Sequence, residues 1–261
     1  MNFKKWLCVA ASLAMAASIF TGCGDSEESS TSTAETTVVS TTEAESSVSE
    51  TDSTTKPATD ENAEAAEQLL TDLSGTYQEL WPVILSDDYH QTWLDDSAKL
   101  VGEENAEGAF EKMSSMVTGT VIGEEAVEKY ADVNMAYCCD FTQDVDTFTF
   151  DGTSISGKDA DGNELFQHTY HYIGMEEIRG LYIYESDDAD SGEFTYFCMA
   201  PDTMATTWHI EFRYGSDLDA LKQYDAGEYA YWLASGISVD CSEDDINNCI
   251  NLFCTENLSE E

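Results

Sequence analysis

The chain has 261 residues, with 10 Lys+Arg against 53 Asp+Glu and a formal charge of −43. That balance argues against nucleic acid as a partner, because phosphate binding needs cationic patches, and against basic docking on anionic lipid head groups. An acidic exterior attracts cations loosely, and most of these carboxylates read as a solvated surface.

Residues 1–23 read MNFKKWLCVAASLAMAASIFTGC. Lys4 and Lys5 give a basic start, an apolar run follows from Trp6 to Phe20, and Thr21 and Gly22 lead into Cys23. These are the three parts of a secretion signal. The FTGC ending resembles the lipobox of bacterial lipoproteins, which implies cleavage before Cys23 and lipid attachment to it. The apolar run is shorter than the about 20 residues a spanning helix needs. The expected location is therefore extracytoplasmic, held at the cell membrane through the lipid anchor alone.

Residues 24–60 are almost all Ser, Thr, Glu and small residues, with no aromatic. They cannot bury enough apolar surface to offset their ordering entropy. The expectation is a disordered stalk with a root-mean-square span of roughly 30–37 Å. Residues 61–261 then form one domain.

The domain opens with helical patterns. ENAEAAEQLLTDL (61–73) follows Asp60, a candidate N-cap. Residues 75–101 are expected to hold two helical runs, with Pro82 near a turn or helix start, and 106–119 a further helix. The period then changes. Segments 133–141, 146–152, 164–174, 180–186, 192–200 and 206–215 are rich in aromatic and β-branched residues and are separated by Asp/Gly/Ser turns. They predict an antiparallel meander. DADGNE (159–164) is superficially like a calcium loop, but Tyr170 stands where the terminal Glu belongs, so a hairpin turn is expected. Helices are expected again at 216–224 and 242–254.

Six cysteines fall in the domain: Cys138, Cys139, Cys198, Cys241, Cys249 and Cys254. An even count in an exported domain predicts at least one disulfide, with 15 possible connectivities. There is no Gly-rich phosphate loop, no GxSxG elbow and no carboxylate pair that stands out from so many. No enzymatic activity is expected.

Of the four histidines, His90 sits in a polar turn or helix start. His168 and His171 are three apart in a strand and so face opposite sides of it. His209 lies in TTWHIEFRYG (206–215), with Glu211 two positions on and on the same strand face. An imidazole beside a carboxylate can be a zinc ligand pair, or a hydrogen-bonded pair on a half-exposed strand.

Several segments, in order, resemble the ZinT/YodA-type lipocalin-like family of extracytoplasmic metal-binding proteins. SGTYQELWPVILSDDYHQTWL (74–94) resembles the family's entry motif through Gly75, Tyr77, Gln78, Trp81 and Pro82. FTFDG (148–152) and GLYIYES (180–186) resemble its middle strands, and TTWHIEFRYG its metal strand. EYAYWLASGISVDCSEDDINNCI (228–250) resembles its closing segment of an aromatic stretch, a turn and a short acidic helix. The resemblance implies a mainly β fold with flanking helices, a lipocalin-like (calycin) antiparallel β-barrel.

It also implies a divalent metal, zinc, held by three histidines on neighbouring strands and passed to a metal importer or its binding protein. Carried over, His209 matches one histidine, Glu211 stands where the second belongs and Ala200 where the third belongs. Cys198, on the same strand face as Ala200, is a conceivable substitute. The resemblance places this face inside the barrel mouth. The alternative expectation is a barrel scaffold whose metal site has degenerated and which binds a small ligand, a glycan or a protein partner.

Overall fold

In the computed structural model eight antiparallel strands close into a barrel in sequence order, β1 through β8 with β1 pairing β8. Residues 62–130 and 136–259 are described. The lipidation signal 1–23 with Cys23, and the stalk 24–60, lie outside them. Among the described residues no helix is long and apolar enough to cross a membrane.

The strands are β1 (Gly75–Glu79), β2 (Thr147–Asp151), β3 (Ser154–Lys158), β4 (Glu164–Glu176), β5 (Leu181–Ser186), β6 (Tyr196–Met199), β7 (Ile210–Gly215) and β8 (Ala234–Ser238). The helices are α1 (Ala63–Asp72), α2 (Leu80–Ile84), α3 (His90–Val101), α4 (Glu103–Val117), α5 (Gly123–Tyr130), α6 (Leu218–Leu221) and α7 (Glu243–Leu258). The barrel with flanking helices is the expected fold class.

Several elements differ from expectation. The two helical runs expected within 75–101 are α2 and α3, but they are preceded by a strand, β1, at 75–79; its short run carries one fully buried side chain, Tyr77, and only pairing with β2 and β8 reveals it. The weakly apolar SISGK and ASGIS become β3 and β8 for the same reason, because closing the barrel satisfies backbone groups that propensity ignores. Segment 133–141 forms no named strand; residues 131–135 are not described, and Cys138 makes only isolated bridges to Thr118 and Trp232. α5 is an additional helix. The α1 N-cap is Asn62 rather than Asp60, whereas Pro82 lies near the start of a helix, α2, as expected.

Two cores result. One fills the barrel. Phe212 of β7 packs against Phe148 and Phe150 of β2, which is not its ladder neighbour, at ring distances of 5.1 and 6.1 Å. Those contacts cross the lumen, so Phe212 points inward. Ala66, Leu69 and Leu70 of α1 join the same core, and the Tyr184 hydroxyl donates to the Ala66 carbonyl at 2.7 Å. α1 therefore packs against the core residues of the lumen.

The second core lies outside the barrel wall. Leu80, Trp81 and Ile84 of α2, Trp93 of α3, Met113 and Val117 of α4, and Ile246, Ile250 and Phe253 of α7 pack with Ile237 of β8. A Ser242 capping box opens α7: its hydroxyl accepts from the Asp245 amide at 3.2 Å while Asp245 Oδ2 accepts from the Ser242 amide at 2.9 Å. That cap fixes where α7 starts.

All six domain cysteines are free, which corrects the disulfide expectation. They are spread over separate surfaces: Cys138 packs in the barrel core, whereas Cys139, Cys249 and Cys254 pack in the outer one.

Candidate metal centre

Strand parity places the site. Since Phe212 faces the lumen, Glu211 and Arg213 point away from it, and His209, one residue before β7, points the same way as Glu211. The β6–β7 register pairs Cys198 with Arg213 and Met199 with Phe212, and the Ala200 amide donates to the Glu211 carbonyl at 2.9 Å. Counting on, Asp202 comes level with His209. The expected position inside the barrel mouth is thus corrected: these side chains lie between the outer wall and the helices.

Asp202, His209 and Glu211 offer ligand atoms that all lie within 4.8 Å of one another. Their relative exposures are 3%, 1% and 5%, so water cannot neutralise the two carboxylates. His209 Nε2 is 3.8 Å from Glu211 Oε1, too far for a hydrogen bond. Among the described residues no lysine or arginine ion-pairs with either acid. Arg213, the nearest basic residue on β7, donates instead to the carbonyls of Leu221, Gln223 and Tyr229.

The intervening loop holds the set in place. The Thr203 carbonyl accepts from the amides of Thr206 and Thr207 at 3.0 and 2.9 Å, and the Thr207 hydroxyl donates to the His209 carbonyl at 2.9 Å. Trp208 sits at φ 60°, in the left-handed region, which turns the chain into β7. His209 Nδ1 lies 2.7 Å from the Thr207 carbonyl. A carbonyl only accepts, so Nδ1 carries a proton and Nε2 is the nitrogen that faces the acids, offering a lone pair to a metal once deprotonated.

These residues fit a metal ion. His209 Nε2, Asp202 Oδ2 and Glu211 Oε2 are buried and have no hydrogen-bond partner among the described residues. Buried polar atoms are almost always satisfied, and buried charges are paired or coordinate metal. One nitrogen and two carboxylates suit zinc, whose ligands at about 2.0–2.2 Å stand roughly 3.4 Å apart in a tetrahedron. Small side-chain rotations would bring these atoms to that spacing.

The ionisation of the set follows from its burial. Burial raises the Asp202 pKa to about 7, with the Glu211 and Glu256 charges adding to the rise and His209 opposing it. Burial alone would lower His209, but Cys249, Glu211 and Asp202 outweigh it and hold the imidazole well above its ordinary 6.5. α7 forms the other wall. The Phe253 ring is 5.0 Å from the His209 ring, and Cys249 Sγ is 3.9 Å from His209 Nδ1, on the side of the ring away from the acids. Beside Glu211, a cavity of ≈ 30 Å³ is lined by Trp81, Trp93, Met113 and Phe253.

The expected pair, His209 and Glu211, is brought together. Asp202 was not singled out, because one carboxylate among 53 acidic residues carries no signal until its register is known. Ala200 lies on the site's face but has no donor. Cys198 does not join the set: it lies level with Arg213, and burial pushes its thiol up to about 12. His168 and His171 separate as expected, onto Asp188 at 2.8 Å and Asp187 at 2.7 Å. His90, half-exposed at the start of α3, meets Glu107 at 3.5 Å.

No family model matches the chain, and no curated protein matches it in sequence. Among solved structures it is similar to the Zn(II)-bound ZinT-like domain of AdcA from Streptococcus pneumoniae. Identity is 16% and the TM-score 0.45, over 70% of this chain and 89% of that one. It is also similar to Zn(II)-bound AdcA from the same organism, with 16% identity and a TM-score of 0.42, over 69% of this chain and 34% of that one.

Proposed function

We propose that this domain binds a divalent metal ion, zinc, through Asp202, His209 and Glu211. We further propose that it does so as an extracytoplasmic lipoprotein, anchored through Cys23, that captures the ion and hands it to an importer. One observation carries the metal reading: three ligand residues converge in a buried site, and each has a buried side-chain atom without a hydrogen-bond partner among the described residues. Two buried carboxylates set against a single imidazole leave the apo site with excess negative charge, which is costly, and a dication removes that cost. The anchoring reading rests on the sequence of the signal and its Cys23 ending.

Titration of the purified protein with zinc, in moderate salt to screen diffuse binding to the acidic surface, tests the metal reading. Wild type is expected to show one saturable site, and His209→Ala to lose it. Equal, salt-sensitive binding by both would mean that the carboxylates hold only a cation cloud. The reading of a scaffold for a small ligand, glycan or protein partner would then replace this one.

A further inference from the structure

We propose that Glu256 of α7 is the fourth ligand of this centre and the group through which the ion enters it; this rests on the metal reading above. Helical spacing supports the placement. Cys249, Phe253 and Glu256 are at i, i+4 and i+7, on one face of α7. The first two touch the His209 ring, so the third continues the same face one turn on. Glu256 Oε2 is shut off from solvent, yet the residue as a whole is half-exposed. The other three candidates are fully buried. Glu256 is therefore the member of the set that spans from solvent to the interior.

One further fact agrees. α7 has no basic residue in its last turn, so a carboxylate there faces the negative end of the helix dipole, and a cation at the site relieves this. The set becomes one imidazole nitrogen and three carboxylates, filling the four positions zinc prefers. Because α7 is also the wall over the site, release of the ion and loosening of the last turns of α7 are one event.

The test compares wild type, Glu256→Gln and His209→Ala in the intact protein. Zinc affinity is read by chelator competition, zinc release by stopped flow, and geometry by the visible absorption of Co(II) as a substitute ion. Glu256→Gln is expected to weaken zinc about 10–100-fold, the cost usual for losing a group that supports a metal site. Release should quicken, and the intense band of four-coordinate Co(II) should fade. The apo melting temperature should not drop, since the change removes a like charge beside Asp202. Unchanged release and an unchanged Co(II) band in Glu256→Gln, with binding still abolished in His209→Ala, would overturn this inference alone. A lower apo melting temperature with an unchanged Co(II) band would make Glu256 merely structural and overturn it too. Absence of any saturable site in wild type would overturn both readings.

Discussion

Asp202 and His209 stand level with each other just past the end of the β6–β7 ladder, on the register that joins Ala200 to Glu211. Six residues lie between them in the chain, and the loop they form is closed on itself by Thr203 and Thr207. The consequence is a ligand set drawn from two strand ends, with its donors facing the helical layer rather than the lumen.

Asp202→Asn should trade affinity for stability. The isosteric amide removes a carboxylate that burial holds near pKa 7. The apo protein at pH 8 should gain on the order of 2 kcal/mol, because each tenfold change in proton affinity corresponds to about 1.4 kcal/mol. Zinc affinity should fall at least about tenfold. Denaturant melts with and without zinc measure both, and an apo variant less stable than wild type would contradict the electrostatic account.

The pH dependence has a definite sign. Asp202 and His209 both have folded-state pKa values above their unfolded ones. The folded apo state thus binds more protons than the unfolded chain, and apo stability falls as pH rises from about 4 toward 7 and through the raised His209 pKa. Zinc needs both groups deprotonated, so its affinity rises across the same range and binding releases protons. Saturating zinc at 100 times its dissociation constant should restore about 2.7 kcal/mol. Melts between pH 5 and 8, with Asp202→Asn as the control for general surface repulsion, check the slope.

Ala200→His should strengthen the centre. Ala200 is level with Glu211 on the site's face. The apo fold should lose about 1–3 kcal/mol to overpacking. Zinc titration should show tighter binding than wild type. Unchanged affinity would place the new ring outside the coordination sphere.

Cys23→Ser should abolish metabolic lipid labelling and release or mis-process the protein. Fractionation of cells carrying either form checks this. A serine variant that remains labelled and membrane-bound would contradict the lipobox expectation.

Much of the barrel was legible in the chain because inward aromatics alternate along β2, β4 and β5, and side-chain alternation is a local property. β1, β3 and β8 were not, because five-residue strands of small and polar residues acquire their identity from partners far away in sequence. The pair His209 and Glu211 was visible for the same local reason: two residues along a strand share a face. Asp202 was not, because its closeness to His209 depends on the β6–β7 register. Residue order alone sets the acidic balance, the basic-apolar-cysteine start, the alternating strands and one nitrogen–oxygen ligand pair. Packing alone turns this pair outward under the helices and selects the carboxylate that meets it, since burial and the excess of buried negative charge exist only once β7 and α7 have come together.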